Sequence, residues 1–464
     1  MSHSNHKLLY IETYGCQMNR LDSELLWGLF SAAGYERAEA KETADVILVN
    51  TCSVRSRAEQ RTLGRISELG GLKRNKPDLV LGVVGCMAQR LGEQLFADHP
   101  YVDLVAGPDA YRELPALINS ERTRIRAWSP DPTETYEGLS PKRDGGLKAW
   151  VAVMRGCNNF CSYCIVPSVR GRERSRSVEA VLNEIHGLVQ EGVQEVTLLG
   201  QNVNSYRDKD TGFAELLSRL DRETDIRRVR FLSSHPKDMS GDVLRAMADG
   251  AAVCEHLHLA LQSGSSAILE RMNRNYTSDA FMELVDRARA IIPGLSVTTD
   301  IIAGFPGETK GDFEQTLDVM RRLRFDAAFT YRYSPRSGTK AFDMEDDVPD
   351  AEKLRRLDAM IALQQAISKE KNRALIGTKA EILMEAPSKC GKGVLGRTRT
   401  DKPVVVHDGN LDVGDWAEVE IIGSTGATLV GREAEGKRQR SEARGQGPEV
   451  RDQRSGVRSQ GSEV

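Results

Sequence analysis

Short apolar blocks, each closed by a polar or glycine turn and followed by an amphipathic stretch, recur along most of the chain. Residues 7–14, 45–50 and 79–84 read as strands, and 22–33, 57–69 and 89–97 as the helices that follow them. Such alternation predicts a parallel sheet, here within a first domain spanning 7–125. Each of these strands runs into a cysteine: Cys16, Cys52 and Cys86. The carboxyl ends of parallel strands share one edge, where ligands bind. One such cysteine alone would be a buried thiol. Three at the same structural position predict a metal centre.

A stretch rich in Pro, Asp, Thr and Glu follows, with a linker expected over 126–144. The alternation resumes in a second domain, 145–373. Its strands are predicted at 149–154, 195–199, 228–232, 257–261, 296–302 and 328–333, with helices at 178–190, 213–220, 241–248, 278–292 and 310–323. These are too few strands for an eight-fold barrel, so a partial (β/α)6 barrel is expected, with its active site at the carboxyl end of the strands. A long helical pattern over 351–375 bridges to a third domain, 374–435. Short strands at 379–386, 394–399, 404–407 and 416–422, broken by Gly, Pro, Asn and Asp, predict a small β-barrel there. The remainder, 436–464, lacks apolar residues to bury and is expected to be disordered. The fold class is thus α/β and multidomain.

At 464 residues several domains are expected. The formal net charge is only −3, so any contact with nucleic acid must rest on local basic patches. Two such patches stand out: Arg170, Arg172, Arg174 and Arg176 in one loop, and Lys389, Lys392, Arg397, Arg399 and Lys402 around one C-terminal hairpin, with Arg397 and Lys402 as its candidate RNA contacts. The planar fork of arginine matches phosphate, although a solvated charge run is the plain alternative. Eight cysteines, clustered or placed singly after strands, suit a reducing compartment and metal ligation better than disulfides. Cys254 and Cys390 have no sequence partner and read as bystanders. No apolar run reaches about 18 residues and no apolar leader is present, so the chain reads as cytoplasmic, without a membrane span.

The densest chemistry lies at Gly156-Cys-Asn-Asn-Phe-Cys-Ser-Tyr-Cys-Ile-Val-Pro167. Cys157, Cys161 and Cys164 sit in a loop directly after a strand. Three thiolates can converge on one metal centre, but a four-iron cube normally takes four cysteines. The next cysteine is Cys254. One iron would therefore lack a protein ligand, and by analogy with zinc an open position marks a reactive site. A zinc knuckle, an idle thiol loop or a Cys161–Cys164 redox pair are the alternatives.

Cys-x3-Cys-x2-Cys after a strand resembles the signature of the radical S-adenosylmethionine (SAM) superfamily. The wording around Cys16, Cys52 and Cys86 resembles the N-terminal domain of the methylthiotransferases. Residues 157–167, 170–176, 198–206 and 271–277 resemble the tRNA branch of that family, and the likeness covers about residues 7–433. It implies two 4Fe-4S clusters, each on three cysteines. Cys157, Cys161 and Cys164 would hold the one at which SAM is cleaved to a 5′-deoxyadenosyl radical. Cys16, Cys52 and Cys86 would hold the one that supplies sulfur, methylated by a second SAM. The implied reaction is methylthiolation at C2 of N6-isopentenyladenosine beside the tRNA anticodon, in a monomer served by an electron donor and a sulfur or cluster donor. The C-terminal barrel is implied to be a TRAM domain, an RNA-binding module. Polar residues at the strand ends, Gln201, Asn202, Ser234, Gln262 and Asp300, are expected to line the SAM pocket, with Gly304 and Gly307 admitting its close approach. The two arginine and lysine patches are expected to meet RNA. The family also contains enzymes acting on threonylcarbamoyl-adenosine or on an aspartate of a ribosomal protein. A non-catalytic iron–sulfur RNA-binding protein is the alternative of another class.

Overall fold

The computed structural model describes residues 6–53, 56–120, 124–389, 391, 393–407 and 411–439. Cys390 and Lys392 lie outside them. Its first sheet is parallel throughout and six-stranded, in the spatial order Glu36–Arg37, Leu8–Thr13, Val46–Thr51, Val80–Gly85, Leu104–Ala106, Ile125–Ala127. The middle strands Val46–Thr51 and Val80–Gly85 are apolar on both faces because helices cover both. The short outer strands escape prediction, since two or three residues carry no period to read. The helix expected at 89–97 is two short ones, Cys86–Leu91 and Glu93–Asp98. They are broken at Gly92, whose φ of +48° no helix sustains.

Downstream of the first sheet, the chain between it and the core is packed rather than loose. Tyr136 is buried, stacks on Tyr111 with ring centroids 6.0 Å apart, and lies 3.6 Å below the Arg155 guanidinium. Its hydroxyl donates to Asp22 at 3.1 Å.

The core carries Lys148–Ala152, Glu195–Leu199 and Arg228–Phe231 in one parallel sheet and His256–His258, Ser296–Ala303 and Ala327–Arg332 in another. Isolated bridges Val229–Val253 and Ser234–Leu259 join the two into one open array. Helices Val178–Gln190, Phe213–Glu223, Gly241–Asp249, Ser278–Ile291 and Lys310–Leu323 close its outer face over a single apolar core. Helix Asp350–Arg373 then runs past the last strand to a closed five-stranded barrel.

That barrel departs from expectation at one point. Leu429–Gln439 forms its closing strand, paired with Pro403–Val406 and with Trp416–Ser424, so ordered backbone continues past residue 436. Its last residues, 436–439, include nothing apolar, so composition alone could not tell them from a tail. The barrel docks on the amino ends of the core strands. Arg228 donates to the Arg397 and Glu381 carbonyls at 2.9 Å, Arg230 to those of Arg399 and Thr398, and Arg399 to the Val253 carbonyl. No helix among the described residues is long and apolar enough to cross a membrane.

Candidate functional site

Two thiol trios face the junction of the first sheet and the core. In the first, strand ends bring Cys16, Cys52 and Cys86 together as the strand–turn–helix repeat requires. Cys16 caps helix Gln17–Ala32, and Cys86 opens helix Cys86–Leu91. Gly15 has φ of +136°, and a Cβ there would fall 2.5 Å from that of Cys52, so only glycine lets the two turns close. Two buried amides lock them: Asn19 donates to Asn50 Oδ1 at 3.2 Å and to the Thr51 carbonyl at 3.1 Å, while Cys16 N donates to Asn19 Oδ1. Cys52 and Cys86 are buried and Cys16 opens to solvent. A hydrogen bond with Cys52 lowers the Cys16 thiol to about 6, and the Arg170 charge adds to it. Burial pushes Cys86 up.

In the second trio, Cys157, Cys161 and Cys164 lie on a loop fastened from several sides. Gly156 N donates to Gln201 Oε1 at 2.6 Å, and Ser162 N to the Met272 carbonyl at 2.9 Å. Asn273 Nδ2 reaches the Asn159 and Phe160 carbonyls, and Lys237 Nζ reaches Asn159 Oδ1 at 2.7 Å. Arg274 donates to Cys161 Sγ at 3.4 Å. Burial raises Cys157 to about 11 and Cys164 to about 12. Cys157 and Cys164 therefore hold their protons near pH 7. Ligation would have to displace their protons.

The trios are neighbours. Ile165, next to Cys164, and Val169 pack on Cys86, and Arg170 donates to Cys86 Sγ at 3.2 Å. Among the described residues no three His, Cys, Asp or Glu side chains close on a single-ion position. A cube of four irons holds its cysteines farther apart than one ion does, and soft thiolates are the usual donors for such a cluster.

The carboxyl edge of the core carries polar atoms without protein partners. Among the described residues nothing bonds the buried Asn202 Oδ1, Ser234 Oγ, Gln262 Oε1, Asn159 Nδ2 or His235 Nε2. Gln262 also holds φ at +70°, uncommon for a residue with a Cβ.

Comparison with known proteins narrows the reading. The model described as "Uncharacterized protein family UPF0004" matches residues 8–107, and that of the Radical SAM superfamily matches 151–320. A tRNA-2-methylthio-N(6)-dimethylallyladenosine synthase of Carboxydothermus hydrogenoformans is 48% identical over 89% of this chain and 96% of its own. Proteins of the same name from Bacteroides thetaiotaomicron (47% identical, 92% of this chain and 96% of theirs) and Chloroherpeton thalassium (46% identical, 91% and 95%) are similar. The chain belongs to this synthase family. Among solved structures, the radical SAM methyltransferase TsrM of Kitasatospora setae, with cobalamin and a 4Fe-4S cluster bound, superposes with a TM-score of 0.56. It is 17% identical, over 73% of this chain and 77% of its own, a likeness of fold alone.

In this member of the synthase family several expected site residues have other employment. Gln201 holds the cysteine loop. Asp300 is bonded to His258 Nε2 at 3.1 Å. Gly304 and Gly307 make the expected positive-φ turn, but the space beside them is filled. A Cβ on Gly304 would meet Lys353, and one on Gly307 the Arg271 guanidinium at 2.8 Å. Their Cβ side is packed by neighbouring side chains. Three of the four loop arginines are likewise spent inside the protein. Arg170 pairs with Asp22 at 2.5 Å, Arg174 with Asp109 at 3.3 Å and Arg176 with Glu184 at 2.6 Å. Only Arg172 is exposed, over the Phe160 ring. Lys402 pairs with Asp326 at 3.1 Å where the barrel meets the core, and Arg397 pairs with Asp401 and Glu385. Arginine clustering could not separate these from RNA contacts, because nothing in the runs marks their acidic partners, which range from Asp401, four residues from Arg397, to Asp22, 148 residues from Arg170. Asn19, Asn50, Asn273 and Arg274 were missed as site residues. Only the short stretches of wording around the cysteines and at 271–277 pointed to them.

Proposed function

We propose that this chain is the tRNA methylthiotransferase that converts N6-isopentenyladenosine beside the anticodon to its 2-methylthio form. The observation carrying this reading is the pair of adjacent cysteine trios in a chain whose relatives bear that activity in their names. Cys157, Cys161 and Cys164 would hold one 4Fe-4S cluster and Cys16, Cys52 and Cys86 a second. When bound, the clusters and SAM supply reducing electrons, a 5′-deoxyadenosyl radical and the sulfur to be transferred. An aromatic C–H carbon resists ionic sulfur transfer, so radical chemistry is required.

The chain's own residues set the stage. Gln201, Asn273, Lys237 and Arg274 hold the core loop rigid. The unpaired Asn202, Ser234 and Gln262 atoms fit a ligand carrying amino, carboxylate and ribose groups. Burial of Cys157 and Cys161 keeps water from their side of the site. Arg172, exposed beside the core loop, is the phosphate contact that survives from the arginine run. The barrel, as a TRAM module, would meet RNA through surfaces other than its docked hairpin. The enzyme would act as a cytoplasmic monomer, drawing on an external electron donor and sulfur source.

Nucleoside mass spectrometry of tRNA from a deletion strain tests the assignment. Loss of the methylthio group from the isopentenyl nucleoside, restored by the intact gene, is expected. An unchanged tRNA profile with an altered ribosomal-protein aspartate would overturn it.

A further inference from the structure

In each thiol trio a buried guanidinium donates to one sulfur, and neither guanidinium comes from the segment that carries the thiols. Arg274 reaches Cys161 from the turn after helix Ser266–Arg271. The other case crosses between the two domains. Arg170, from the core, donates Nε to Cys86 Sγ at 3.2 Å, while its other end is held by Asp22, with Nη2 at 2.5 Å from Oδ2 and Nη1 at 3.4 Å from Oδ1. Arg170 is 3% exposed and Asp22 0%. Tyr136 donates to Asp22 Oδ1 at 3.1 Å, so the carboxylate is tied as well. A pair serving only stability would turn the Nε–H to a carbonyl oxygen, the better acceptor. Here it is spent on sulfur.

A cationic donor on a ligating sulfur withdraws electron density and favours the reduced state of the cluster that the sulfur holds. Hydrogen bonds to sulfur are among the protein's levers on cluster potential. We propose that Arg170 is a positioning residue for the N-terminal centre: it fixes Cys86 and raises the reduction potential of the cluster held there. Because Arg170 ends the helix Val166–Arg170, directly after Cys164 and Ile165, that setting exists only while the core is docked. The electronics of the sulfur-supplying centre are thereby tied to the segment that carries the SAM-side loop. The inference rests on the two-cluster reading above.

The test uses the full-length chain with Cys157, Cys161 and Cys164 replaced by alanine, reconstituted anaerobically and titrated electrochemically with electron paramagnetic resonance detection. In Arg170→Gln the oxidised-to-reduced ratio at a fixed poise should rise at least tenfold, which is a midpoint about 59 mV lower for a one-electron couple. Arg170→Gln with Asp22→Asn, which leaves no buried unpaired carboxylate and is compared with Asp22→Asn alone so that the lost anion cancels, should show the same shift if the single variant fails to fold. Arg170→Lys should recover part of it, and Arg274→Gln should leave this centre unmoved. An unchanged midpoint and line shape at full iron content in the double variant would overturn the proposal. A parent chain that takes up no iron would overturn the two-cluster reading itself, and the proposal with it.

Discussion

Ser234 Oγ and Gln262 Oε1 are buried, face the carboxyl edge and have no partner among the described residues. Such atoms cost stability unless a ligand satisfies them. Ser234→Ala should therefore leave the midpoint of urea unfolding unchanged or raise it, while weakening SAM binding by about 2- to 10-fold, the worth of one hydrogen bond. Equilibrium dialysis beside a denaturation curve reads both. A second residue-scale consequence concerns acid. Burial lowers His256 to about 4 from an unfolded value near 6.5. Between those limits the unfolded chain binds a proton that the folded chain refuses, so stability falls as pH drops from 6.5 toward 4. The contribution is about 1.4 kcal/mol per pH unit at most. His256→Asn should remove that share of the slope of the unfolding free energy against pH over the window, leaving the share of His235, which burial also lowers, and change nothing above pH 7.

At the scale of elements, the site depends on how closely helix Lys310–Leu323 lies against the strand-end turn at Gly264. A Cβ on Gly264 would stand 2.7 Å from the Gln315 carbonyl oxygen and 2.8 Å from Thr316 N, both backbone, which no side-chain rotation can relieve. Gly264 N also donates to Thr316 Oγ1 at 2.9 Å. Gly264→Ala should cost about 1–3 kcal/mol, the usual penalty of overpacking, visible as a lower urea midpoint. It should also weaken SAM binding, because Gln262 lies two residues away. The six core strands and their helices were legible because an apolar or alternating stretch ending at a polar turn marks each, and at His256–His258 that alternation runs on through Leu259 and Leu261 beyond the three paired residues. Leu104–Ala106, Ile125–Ala127 and Leu429–Gln439 were not. The first two are too short for a pattern, and the last is too polar to separate from a tail by composition.

For the whole molecule, the cysteines could be grouped from their places after strands, because topology alone brings strand ends to one edge. The fates of Arg170, Arg174, Arg176 and Lys402 could not be read, since each depends on an acidic partner in another domain or element. The barrel sits at the amino ends of the core strands and the thiol loop at their carboxyl ends, so tRNA engaging both must reach around the core. This arrangement separates the basic residues by role. Arg172→Glu should lower tRNA affinity and reduce the slope of log affinity against log salt by about 1, the signature of a lost phosphate contact. Lys402→Met, which leaves Asp326 paired with Lys371 at 2.6 Å, should leave that slope unchanged. Filter binding across a salt series distinguishes them. Two separate iron–sulfur centres carry the proposed chemistry, and anaerobic reconstitution with iron and sulfide counts them directly. About eight irons per chain are expected, falling to about four when Cys16, Cys52 and Cys86 become alanine and to about four when Cys157, Cys161 and Cys164 do. A chain that holds about four irons, unchanged by loss of the first trio, would contradict it.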